Sequence, residues 1–162
     1  MGGKRASFRG RDIGGPPKDQ PWCWYTVEMM RSDAWHDMSV NARRMLDLLE
    51  LEHLAHGGFE NGNLVMTYDQ FVAGSIRRGS IFATIAELER LGWIEVTRGG
   101  YRGFARSWHH RFRLTHRRTR IRPEVGMPYL IEGTHDWRRY RSKKNGSNGG
   151  KSGTATVPKA AP

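Results

Sequence analysis

Residues 67–96, TYDQFVAGSIRRGSIFATIAELERLGWIEV, decide the fold. Thr67 and Gln70 have the spacing of a capping box, in which the Thr hydroxyl and the Gln side chain each satisfy a free backbone donor, so a helix starts at Tyr68. Gly74-Ser75 interrupts it after Phe71 and Val72, and a second helix runs from about Arg77 or Gly79 to Leu91, closed by Gly92. On this second helix Ile81, Ile85 and Leu88 share one face and Leu91 joins them, with Arg78, Ser80, Thr84, Glu87 and Arg90 largely elsewhere. Trp93 to Thr97 then alternates like a half-buried strand. A loop, RGGYRGFARS at 98–107, is too long for a tight turn, and beyond it Trp108, His110, Phe112 and Leu114 fall on one side of a second strand. The order is helix, turn, helix, strand, basic loop, strand.

On the N-terminal side, WCWYTVEMM at 22–30 is rich in aromatic and β-branched residues, which predicts a short strand or extended arm. Ser32-Asp33-Ala34-Trp35 reads as a capped helical turn. Ser39 caps a helix to about Ala55 whose apolar positions Ala42, Met45, Leu46 and Leu49 follow the i, i+3, i+4, i+7 rule, with Leu48 and Leu51 widening the stripe. So wide a stripe belongs to a central helix. Gly57-Gly58 ends it, and Asn61-Gly62 makes a turn before Leu64-Val65-Met66.

Charge separates the chain into unlike parts. The 162 residues carry a formal net charge of +11, with a pI near 10.5, which favours polyanionic partners. Residues 22–66 hold three basic against seven acidic groups, 67–114 eight against four, and 115–162 eleven against three. A half that is acidic followed by one that is basic suits a domain with one face toward phosphate. All six lysines lie at positions 4, 18, 143, 144, 151 and 159, so every positive charge between Asp19 and Ser142 is arginine. Either the planar guanidinium fork is wanted for bidentate contacts with phosphate or guanine, or a GC-rich coding sequence supplies arginine by default.

Several classes drop out. A single Cys23 allows no intrachain disulfide, no apolar run approaches the ~20 residues of a membrane span, and MGGKRASFRGRD has charge but no apolar core of a secretory signal. The expected location is the cytoplasm, associated with the nucleoid. His53 and His56 lie near a helix end and His109-His110 are adjacent, but no second Cys or spaced carboxylate completes a metal set. There is no Gly-rich phosphate loop before a Lys, no nucleophile elbow and no HEXXH order, so no enzyme, cofactor or metal is expected. Residues 1–21 and 143–162 lack apolar periodicity and read as disordered basic tails.

The residues Thr67-Tyr68-x-x-Phe71, Gly74-x-Ile76, Ser80-Ile81 and Ile85-x-x-Leu88-x-x-Leu91-Gly92-Trp93-Ile94-Glu95-Val96 resemble the winged helix-turn-helix superfamily of bacterial transcription factors and plasmid replication proteins. The likeness covers roughly 37–115. More narrowly, 24–58 is similar to small bacterial helix-turn-helix proteins common in mobile elements. The resemblance implies an α+β fold, a three-helix core with a C-terminal β-hairpin wing over 22–116, followed by a basic extension over 117–142. It implies a second helix in the major groove of double-stranded DNA, with Arg77, Arg78, Ser80, Thr84 and Glu87 facing bases or phosphates. The wing would bring Arg98, Arg102 and Arg106 to the minor groove or backbone, its glycines allowing close approach. Gly79 weakens a helix interior by about 1 kcal/mol relative to Ala, so either the helix starts there or its backbone approaches something closely.

Other readings stand beside this one. Trp93 and Phe112 are expected in the core, while Tyr101 and Phe104 in the loop either stack on unpaired bases, as in RNA or single-stranded DNA binding, or pin the loop to the domain. Within 117–142, Thr134 caps a short helix bearing Trp137, Arg138, Arg139 and Arg141, which either lengthens a DNA footprint or docks through Trp137. Transcriptional regulation is the expected use; a plasmid or phage replication role and a protein-docking module presenting the acidic helix 39–55 are the alternatives. A homodimer is a further partner expectation, built from the 22–35 arm or the 134–142 segment.

Overall fold

The computed structural model describes residues 19–99, 109–122 and 126–143, and the backbone alone at 101–102 and 106–107. Most of both expected tails, 1–18 and 144–162, lies outside those residues, as do Phe104 and Trp108. Its first element departs from the sequence reading. Only 22–26 is irregular; Thr26, with extended backbone, caps a helix α1, Val27–Arg31. Its hydroxyl accepts from the Met29 amide at 3.1 Å, and the Met29 sulfur accepts from the Thr26 amide at 3.5 Å. Burial of Met29 completes the override of strand propensity, since packing rather than composition decides so short a segment.

Ser32 serves two helices, donating from its hydroxyl to the Met29 carbonyl (2.7 Å) and accepting from the Trp35 amide (3.2 Å) to cap α2, Asp33–His36. Ser39 then caps α3, Val40–Ala55, whose stripe Ala42, Met45, Leu46 and Leu49 is fully buried. Leu51, expected to widen that stripe, is exposed; Glu50 and His53 are buried instead. The expected capping box forms at α4, Tyr68–Ala73, with Gln70 amide to Thr67 hydroxyl at 3.2 Å and Thr67 amide to Gln70 side chain at 2.8 Å. After α4 it is Ser75 that turns left-handed (φ 65°); a Cβ at Gly74 would crowd the Leu48 methyl groups, which would have to shift to admit it. A 3₁₀ turn, Arg78–Ser80, leads into α5, Ile81–Arg90, which buries Ile81, Ile85 and Leu88.

Small antiparallel sheets follow, giving a mixed α+β fold. β1 (Leu64–Val65), β2 (Ile94–Thr97) and β5 (Arg111–Leu114) form a sheet in the order β1-β5-β2, with Leu64 and Val96 both opposite Phe112. β3 (Tyr101–Arg102) and β4 (Arg106–Ser107) pair between them, and β6 (Thr119–Ile121) with β7 (Tyr129–Ile131) beyond. Asn61 does more than turn the chain: its carbonyl accepts from the Leu114 amide at 2.7 Å and its amide group donates toward the Leu114, Arg117 and Arg118 carbonyls, fixing the exit of β5.

Trp93 is the centre of the core. Its indole N–H donates to the Ala34 carbonyl (3.2 Å), its edge meets Trp35 and His116, and Trp137 stacks on it at 5.5 Å and 7°. Trp137 sits in a 3₁₀ turn, Asp136–Arg139, two residues after the expected cap Thr134. Of its two sequence readings, docking on the domain is the one observed, so the packed core reaches past residue 116. Gly92 has φ +77°, and a Cβ there would lie 2.6 Å from the Asp136 backbone. Gly92→Ala therefore meets both a left-handed backbone and a backbone clash, and is expected to destabilise the fold by roughly 2–4 kcal/mol in denaturant titration. A loss below about 0.5 kcal/mol would overturn this packing of the C-terminal segment.

A buried polar cluster ties α3 to the chain leaving β5. The Glu50 carboxylate accepts from His116 Nε2 and from Arg117 Nε at 3.0 Å, and the Arg117 guanidinium also lies over the Trp24 ring. Burial pushes the Glu50 carboxyl up, but the hydrogen bonds from His116 and Arg117 outweigh it and hold it below the usual range. Burial lowers His116, outweighing the pull of Glu50, and its Nδ1 is buried without a hydrogen-bond partner among the described residues. The neutral ring with its proton on Nε2 fits; a second proton would leave a buried donor unsatisfied. Because the unfolded chain takes up these protons first, stability is present above about pH 6.5 and falls with acid through His116, then further below about pH 4.5 through Glu50. Denaturant midpoints measured from pH 8 to 4 should show that decline, smaller from pH 7 to 5 in His116→Asn; a flat profile would exclude it.

Candidate nucleic-acid interface

The candidate interface lies at the entry of α5 and the end of β2, with the backbone of the β3–β4 hairpin beyond them. Arg77, with φ −59° and ψ 130°, stands in extended backbone just before the 3₁₀ turn. Its guanidinium is exposed and makes no hydrogen bond or ion pair among the described residues. Arg78 pairs with Asp69 of α4, both side chains well exposed. Arg98, at the end of β2, pairs with Glu89 of α5. Exposed pairs of this kind contribute about 0–1 kcal/mol, so a phosphate can replace the carboxylate at little cost. Arg102 and Arg106 are directly opposed in the hairpin register.

Two expected base-facing residues are committed elsewhere. Thr84 is buried, 3% exposed, and its hydroxyl donates to the Ser80 carbonyl at 2.8 Å. That bond satisfies the hydroxyl inside the helix and removes it from the outer face. Glu87 reaches across to α3, accepting from the Ser39 amide and hydroxyl, each at 2.7 Å. Its carboxylate thus strengthens the α3 N-cap, where negative charge is favoured by the helix dipole. Ser80 is half-buried at the foot of α5.

What the sequence reading missed is the composition of the outer face of α5. Phe82 is 66% exposed, and Ala83 and Ala86 are exposed beside it. Its signal lay in the period: positions 79, 82, 83, 86 and 90 form the stripe opposite Ile81, Ile85 and Leu88. Gly79 belongs to this stripe; its backbone has no positive φ, and a Cβ there would meet nothing within 4 Å, so no contact within the fold requires glycine. Arg44 of α3 adds a cation near the α4–α5 turn, donating to the Ser75 carbonyl at 3.1 Å. Arg90, at the far end of the stripe, donates to the Tyr140 hydroxyl at 2.9 Å. The side chains of Tyr101, Arg102 and Arg106 lie outside the described residues.

Among the described residues no group of three His, Cys, Asp or Glu is placed to hold a metal ion, and no helix is long and apolar enough to cross a membrane. Comparison of the chain with protein-family models, curated proteins and solved structures gives no significant match.

The Glu87 contact yields a direct expectation. Glu87→Ala should lower stability by about 1 kcal/mol, the worth of a cap interaction, while leaving the base preference of any bound DNA unchanged. Thermal denaturation together with selection from a random duplex pool checks it; a changed base preference at unchanged stability would return Glu87 to the groove.

Proposed function

We propose that this chain binds duplex DNA as a winged helix-turn-helix protein. In this reading α4 and α5 are the helix-turn-helix, α5 enters the major groove, and the β3–β4 hairpin is the wing against the minor groove or backbone. The observation that carries it is the chemistry of α5: one face is packed on the core through Ile81, Ile85 and Leu88, the other is exposed, and Arg77, with no side-chain partner among the described residues, stands at its entry. The sheet order β1-β5-β2 around the hairpin, and the opposed Arg102 and Arg106, support the wing. Regulation of transcription is the use we infer, with a plasmid or phage replication role as the alternative within DNA binding.

A protein-docking module remains a second reading, with part of the acidic face of α3 still at the surface. Of the carboxylates on α3, Glu50 is buried against His116 and Arg117, and Asp47 accepts a hydrogen bond from Tyr25 at 3.2 Å. Asp47 is nevertheless exposed and Glu52 half-buried, so burial removes only Glu50 from that face.

The test is electrostatic. The full chain should bind random-sequence duplex DNA more tightly than single-stranded DNA, with affinity falling steeply as salt rises. Arg77→Ala, Arg78→Ala and Arg102→Ala should each flatten the log–log salt slope by about 0.9 for a lost phosphate contact. Unchanged affinity and slope in all three would remove the footprint, and a preference for single strands would favour the stacking reading of Tyr101 and Phe104.

A further inference from the structure

The outer stripe of α5 carries almost nothing that can hydrogen-bond a base. Between Arg78 and Glu89 its exposed positions are Gly79, Phe82, Ala83 and Ala86. Thr84 and Glu87 are turned to the Ser80 carbonyl and to Ser39, and Ser80 is half-buried. Cations bracket the stripe, Arg77 and Arg78 at one end and Arg90 and Arg98 at the other. A helix of this kind matches a groove whose walls are phosphate and whose floor offers an apolar group. In the major groove that group is the 5-methyl of thymine, which apolar side chains such as Ala and Phe contact.

We infer, resting on the duplex-DNA reading, that α5 reads thymine methyl groups through Phe82, with Ala83 and Ala86 beside it. Phe82 is the specificity-determining residue: it projects from a stripe of Gly and Ala that lets the helix backbone sit deep in the groove. The open space at Gly79 serves the same approach at the helix entry. Arg77 and Arg78 anchor the register by phosphate or guanine contact, and the apolar stripe then distinguishes T·A from C·G by the presence of a methyl rather than by donors and acceptors.

The experiment uses the full chain. Duplexes are selected from a random pool, the best is resynthesised with deoxyuridine in place of thymidine, and both are titrated with the wild type and with Phe82→Ala, an exposed position whose truncation leaves the core intact. Selected sites should be enriched in thymine opposite α5, and the wild type should lose about fourfold in affinity for each contacted methyl removed. Phe82→Ala should bind the thymine duplex more weakly and lose most of the difference between thymine and uracil. Equal wild-type affinity for the two duplexes would overturn the thymine assignment while leaving DNA binding in place. The same holds if Phe82→Ala retains the whole difference, or if its duplex affinity is unchanged, in which case the ring is exposed for a protein surface. If no duplex is retained at any salt concentration, the DNA reading fails, and this inference with it.

Discussion

Burial of Trp93 is the constraint on which the other elements depend. A fully buried indole removes about 200 Å² from water, worth roughly 5 kcal/mol before entropy is counted. The ring enters the core because Gly92 reverses the chain immediately after α5, in a left-handed conformation that a side chain would strain. Three separate segments then meet it: from α2, Ala34 accepts its N–H and Trp35 packs edge to face; His116 does the same from the chain after β5, and Trp137 stacks on its face. The direction of α5 and the start of β2 are thereby set by one side chain. Arg78, at the entry of α5, and Arg98, after β2, are thus placed by the two elements that this ring joins.

Polar groups refine what the rings establish. Asn61 holds the end of β5 through backbone bonds, and Glu50 joins α3 to His116 and Arg117 in a buried cluster. Such a cluster is costly to break because a charge would be left without its partner in a low dielectric. The exposed pairs are of another kind. Arg78 with Asp69 and Arg98 with Glu89 position two guanidinium groups at small energetic cost and release them as easily. Stability thus rests on buried contacts, and the surface arginines are held only by exposed pairs; on the duplex-DNA proposal these are the groups that would exchange with phosphate.

Features that were legible in the sequence are those whose causes are local. The Thr67–Gln70 box, the Ala42 to Leu49 stripe, the Ile81–Ile85–Leu88 face and the Gly92 stop each depend on residues within two turns of one another, and periodicity or capping chemistry exposes them. What escaped depends on distant partners. Nothing near Glu87 announces Ser39, 48 residues earlier, and nothing near Trp137 announces Trp93. The arm before Ser32 has strand composition, yet Met29 is drawn into the core and a cap forms around it. Thr84 was misplaced for a subtler reason: a threonine hydroxyl is polar in sequence but can be satisfied by the carbonyl four residues back, which lets it face inward.

The inward commitment of Thr84 and Glu87 bears on the proposed recognition of DNA. A helix of ten residues has few polar side chains to divide between its own fold and a partner, and α5 uses both of these to brace itself and α3. Its outer stripe is left with a ring, two methyl groups and bare backbone between clusters of arginine. Affinity from such a surface comes mainly from phosphate, which carries no sequence information, while selectivity comes from shape and from the few apolar groups a groove displays. Hydrogen-bond readout would require polar substitutions at 82, 83 or 86, the exposed positions where new side chains would not disturb the core. On the duplex-DNA proposal, specificity could therefore change at those three positions, while 84 and 87 serve the fold's own stability.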